Sequence, residues 1–169
     1  MKNVFRTMIL LACISSMGNA ALAQKSDFSG SWQLSKEKSD FGQQDADKAS
    51  PKQLKIKQQA DAITVEKIIL NGGQDNSYTE TFTFDGKAAR KVFTTTHGTQ
   101  TRLTTVQWSA DDKTMNISAN TDVEVNGQKG IYTTEQAWTL SVDGKTLTIN
   151  NNTVLPDRKV VFKAVYEKQ

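Results

Sequence analysis

Few side chains in this 169-residue sequence have both the type and the spacing that chemistry needs. His97 is the single histidine, and with Gly98 behind it reads as a turn residue in solvent. A metal or acid–base role would need partners, and no second His and no nearby acidic cluster supplies them. Carboxylates pair at Asp45/Asp47, Asp111/Asp112 and Asp122/Glu124. These fall in a polar loop, in a tight turn and beside Asn126-Gly127, and none builds the roughly six to eight oxygen ligands of a calcium site.

Two acids sit on expected strands. Glu135 is in opposite parity to Trp138 and should point outward. Glu80 shares the parity of Phe82, which turns it toward the interior, where desolvation would raise its pKa. The plainer alternative is an edge-facing or ion-paired Glu80, because Glu is seldom fully buried. Arg90, Arg102 and Tyr132 are further polar candidates for an inward face, with Gln136 in phase with Trp138. The sequence contains no nucleophile elbow, phosphate loop, dinucleotide fingerprint or zinc motif. The expectation is therefore binding without catalysis, cofactor or metal.

Residues 1–23 read as a secretory signal. Lys2 and Arg6 begin it, Met8 to Ile14 is apolar, and Ala21-Leu22-Ala23 is a small-x-small cleavage site. The apolar run is too short for a permanent transmembrane anchor. A lipoprotein reading at Cys13 is less favoured, because few apolar residues precede it and a better cut follows. Residues 24–169 then form one domain, secreted or periplasmic. Cys13 is the only cysteine, so the exported part has neither disulfide nor cysteine metal site. The formal charge of +3 includes Lys2 and Arg6, and what is left suggests no nucleic-acid partner.

The elements that must position the candidates are strands. The clearest stretch runs from Ile131 to Ile149, where two alternating runs flank Asp143-Gly144, the pattern of a hairpin. Similar runs cover Phe28–Leu34, Gln53–Gln59, Ile63–Leu70, Tyr78–Phe84, Ala89–Thr96, Thr101–Trp108, Thr114–Asn120 and Lys159–Lys168. Lys36–Lys52 has no helical stripe and reads as a polar loop closed by Pro51. Ser109 to Ile117 parallels Ser141 to Ile149, each behind a Trp, as hairpin chemistry alone would dictate. The fold class is all-β, an antiparallel meander closed into a barrel of about 8–10 strands, since closure removes unpaired edges. A sandwich is the runner-up.

Gly30-Ser31-Trp32 on the first strand resembles the Gly-x-Trp signature of lipocalins and fatty-acid-binding proteins, and Val165-Tyr166-Glu167-Lys168 looks like the closing strand of the latter. The chain thus resembles lipocalin-like (calycin) barrels, and also small exported bacterial proteins of unassigned role. The resemblance implies a small apolar or amphipathic ligand inside the barrel, with Arg90, Arg102, Tyr132, Gln136 and Glu80 as candidates to contact it. It also implies that the first-strand Trp packs under a cation near the barrel's end, for which Arg158, Lys163 and Lys168 are available. Gly30, Trp32 and Trp138 are expected to close the barrel structurally. The helical lid of fatty-acid-binding proteins has no counterpart in Lys36–Lys52, and their arginine-and-tyrosine carboxylate clamp is not recognisable. The alternative function is a packed barrel without ligand, serving as a structural or protein-interaction module of the cell envelope.

Overall fold

Period-two alternation of Thr, Val and aromatic residues, broken by Asp-Gly and Asn-Gly pairs, folds here into ten consecutive antiparallel strands. The computed structural model describes residues 25–95, 98–125 and 127–169. The expected leader at 1–23, Cys13 included, and His97 lie outside the described residues.

The strands are β1 (Gly30–Leu34), β2 (Gln53–Gln58), β3 (Ala62–Asn71), β4 (Gln74–Thr83), β5 (Ala89–Thr95), β6 (Gly98–Trp108), β7 (Thr114–Val125), β8 (Gln128–Leu140), β9 (Thr146–Val154) and β10 (Lys159–Lys168). Their order is β4-β3-β2-β1-β10-β9-β8-β7-β6-β5, so first meets last and the sheet curls into a nearly closed barrel. Trp32 lies opposite Lys168, and Leu34 opposite Tyr166. Among the described residues the ring is unpaired at one place only, between β4 and β5.

The two sequence-similar hairpins share their turn chemistry atom for atom. Ser109 Oγ donates to Asp111 Oδ1, Lys113 N donates to the same oxygen, and Thr114 N donates to Ser109 Oγ. Ser141, Asp143, Lys145 and Thr146 repeat each bond. Gly144 takes φ 67 where the earlier turn has Asp112 at φ 55.

Lys36–Lys52, expected without helix, contains a single turn of one, α1 (Ala46–Ala49). Asp45 caps it by accepting from Asp47 N, and Ala46 and Ala49 rest against the core. Four residues are too few for an amphipathic stripe, which is why periodicity missed them. Phe41 packs on Phe162, ring centroids 5.6 Å apart. Tyr166 donates to Pro51 O at 2.9 Å and meets Ser50 Oγ at 2.8 Å, which fastens the loop to the last strand.

Candidate functional site

The inward side chains change character along each strand. On β6 they run Trp108, Val106, Thr104, Arg102, Gln100; on β7, Met115, Ile117, Ala119, Thr121; on β8, Trp138, Gln136, Thr134, Tyr132; on β9, Leu147, Ile149, Asn151. Antiparallel register places like beside like, with Trp108 opposite Met115, Arg102 opposite Thr121, and Thr121 opposite Tyr132. One half of the barrel is therefore an apolar core and the other a polar chamber. Phe28 stacks on Trp108 at 5.8 Å and meets Trp138 edge-on at 6.1 Å, filling the apolar half. Burial of these rings, with the aliphatic core around them, drives folding.

Trp32 is fully buried, its Nε1 donating to Phe28 O at 2.9 Å. Lys168 Nζ stands 5.2 Å from the centre of its ring. Of the three cations available for that place, Lys168 takes it. Gly30 has φ 140, and a Cβ there would lie 2.8 Å from Lys168 Cε. The backbone conformation and the crossing lysine together call for glycine.

A cavity of about 140 Å³ occupies the polar half, lined by Lys67, Glu80, Phe82, Arg102, Thr104, Ile117, Ala119, Thr121, Tyr132, Thr134 and Gln136. Larger hollows lie on the barrel's outer face, for example about 420 Å³ around Asn116, Ala137 and Asn150. They are more open than the interior cavity and enclose a ligand less.

Glu80 is the buried acid of the chamber, its side chain 4% exposed. Oε2 accepts from Lys67 Nζ at 2.5 Å, and Oε1 accepts from Arg102 Nη2. Lys67 and Arg102 side chains are 14% and 26% exposed. Burial alone would raise the Glu80 carboxyl, but Lys67 and then Arg102 outweigh it and hold it below the ordinary range. The two sequence alternatives are thus combined: Glu80 turns inward and is ion-paired, and its two cations reverse the upward shift that burial alone would give. Burial pushes the Lys67 amine down, and Glu80 only partly restores it.

The other candidates divide. Tyr132 lines the cavity and accepts a hydrogen bond from Gln100 Nε2. Gln136 lines it too, but its amide is engaged: Oε1 accepts from Trp138 Nε1 at 3.1 Å and Nε2 donates to Asn151 Oδ1 at 3.0 Å. Trp138 is buried in the apolar half. Arg90 is the correction. It is exposed and lies opposite Leu103 on the outer face, because Lys91 and Phe93 hold the inward parity of β5. Glu135 is exposed, as its parity required.

Two residues of the chamber, Lys67 and Thr121, and the exposed Lys91 beside it escaped the sequence reading. Lys67 shares parity with the buried Ile63 and Val65, a signal hidden by the adjacent Ile68-Ile69. Lys91 reaches across the unpaired seam to donate to Thr79 O on β4, at 3.4 Å. Thr121 is wholly buried, and its Oγ1 has no hydrogen-bond partner among the described residues.

No family model matches the chain, and no curated protein matches it. Among solved structures it is similar to a secretary abundant heat soluble protein from Ramazzottius varieornatus. The TM-score is 0.46 at 11% identity, over 87% of this chain and 98% of that one. So loose a likeness carries no argument, and the site is read from its own residues.

Proposed function

We propose that this is an exported lipocalin-like protein that holds a small amphipathic molecule non-covalently in the polar half of the barrel, with an anionic or strongly hydrogen-bonding head. The observation that carries this reading is the Thr121 hydroxyl. It is buried without a partner between Arg102 and Tyr132, in the wall of a cavity. A buried polar atom left unpaired costs about 1–3 kcal/mol, and a ligand oxygen or N–H at that point would recover it.

Charge supports an anion. Inside the chamber Lys67 and Arg102 face one carboxylate, Glu80, and the exposed Lys91 acts on it from outside. Two cations against one anion in a low-dielectric setting leave room for a second negative group. Phe82, Ile117 and Ala119 supply an apolar wall for the remainder of the molecule. The volume of about 140 Å³ sets the scale. A void of about 150 Å³ takes benzene, so the ring of a ligand such as benzoate nearly fills the chamber.

Calorimetric titration with benzoate, hexanoate and hexylammonium tests the reading. Saturable binding of the carboxylates and none of the ammonium is expected. Heat-silent titrations with both carboxylates would overturn it. The smallness of the cavity favours a second reading, a packed barrel acting as an envelope or interaction module. A specific protein partner whose capture ignores small molecules would support that one.

A further inference from the structure

We propose that Lys67 is a nucleophile, and that the chamber captures a small aldehyde as an imine at Lys67 Nζ. This deepens the interior-binding reading and rests on it. The hydrogen-bond count at Nζ is the first support. An ammonium has three N–H donors, and among the described residues Nζ has one hydrogen-bond acceptor, Glu80 Oε2 at 2.5 Å. The Tyr78 ring also lies near, 5.8 Å from Nζ to the centroid. A protonated imine keeps the positive charge and a single N–H, so Glu80 alone satisfies it. In place of two donors without a protein acceptor among the described residues it presents a carbon substituent, which Phe82, Ile117 and Ala119 can pack.

The charges around Nζ point the same way. Arg102 and Lys91 both press on Lys67, and Glu80 opposes them. Arg102 cannot shed its proton, and Lys91 is exposed. Lys67 is the cation of the group best able to relieve the crowding by becoming neutral, and burial drives its amine in that direction. A desolvated lysine beside another cation is the usual form of an amine activated toward carbonyls.

The step balances without any other reactant. The free amine adds its electron pair to the carbonyl carbon, and one proton passes from nitrogen to oxygen to give a carbinolamine. A further proton to that oxygen expels it as water, leaving the protonated C=N bond. Overall, ammonium and aldehyde give iminium and water, with charge conserved. Glu80, in hydrogen-bonding contact with Nζ, is placed to relay the protons.

Benzaldehyde with cyanoborohydride at pH 7, read by intact mass and peptide mapping, tests the proposal, with benzoate calorimetry run alongside on the same sample. The expected result is one benzyl group at Lys67, formed ahead of label at every other lysine, since burial that lowers a lysine's pKa raises its neutral fraction. In urea that preference should vanish. Benzoate binding with labelling spread evenly over the lysines would overturn the imine and leave the binding reading intact. Even labelling with no benzoate binding would overturn both, and selective labelling without benzoate binding would uphold the imine while removing the anion. Lys67→Arg, checked for folding by circular dichroism, should abolish the selective adduct, and its survival on another residue would contradict the assignment.

Discussion

Glu80 and Arg102 join two strands that are not neighbours in the sheet. Glu80 lies on β4 and Arg102 on β6, and their ion pair crosses inside the barrel at the place where β4 and β5 fail to pair. Lys91 of β5 adds a second tie by donating to Thr79 O. Side chains, rather than a backbone ladder, hold this part of the wall together, and the same side chains bound the cavity. Structural closure and the candidate site therefore share residues.

Removing the acid should be costly. Glu80→Gln leaves Lys67 and Arg102 without their counter-charge in a buried setting, and a loss of about 3 kcal/mol is expected in urea unfolding. A change under about 1 kcal/mol would mean that water, rather than Glu80, stabilises those cations.

The same variant should alter acid stability. Because the folded Glu80 titrates below its ordinary 4.5, its contribution is complete above that pH. It is lost as pH falls through the depressed folded value. Stability profiles of the two proteins should converge below pH 4.5 and stay apart above it. Parallel profiles throughout would rule out the depressed titration.

At the alkaline end Tyr166 should dominate. Burial raises its phenol, opposed by the bond to Ser50. Above pH 10.0 the unfolded chain ionises this tyrosine and the folded one does not, so stability falls. Tyr166→Phe should cost about 1–2 kcal/mol at neutral pH through the lost bonds to Ser50 and Pro51, yet show a shallower alkaline decline. An unchanged decline would assign it to other groups.

At the barrel's meeting point Trp32→Ala should cost about 3–5 kcal/mol. Gly30→Ala carries two separable penalties. The clash with the flexible end of Lys168 should disappear in a Lys168→Ala background, while the backbone strain of about 1–3 kcal/mol persists. Full rescue in the double variant would show that crowding alone selects glycine.

How much of this could be read from the sequence follows from period two. The meander follows from the turn signals and the β1–β10 meeting from the need to cover sheet edges, while the burial of Trp32 and the inward turn of Glu80, Arg102, Tyr132 and Gln136 follow from parity within single strands. Arg90 failed because β5 offers Val92 and Phe93 side by side, and parity alone does not say which is inside. Register with β6 decides it: Lys91 faces Arg102, and Arg90 faces Leu103. Lys67 was legible in principle from Ile63 and Val65, but a lysine in an apolar run reads as an edge residue until its partner Glu80, on the neighbouring β4, is known to turn inward beside it. The unpaired β4–β5 seam has no local signature, since it depends on how ten strands close. Lys168 over Trp32 was one of three cations that only coordinates could separate.

Amide and side-chain NMR shifts during a benzoate titration test the interior site most directly. The expected result is a saturable set of changes gathered at Lys67, Arg102, Thr121 and Tyr132, with the outer Asn116 and Asn150 unmoved. Changes confined to that outer face, or none at all, would contradict an interior binding site.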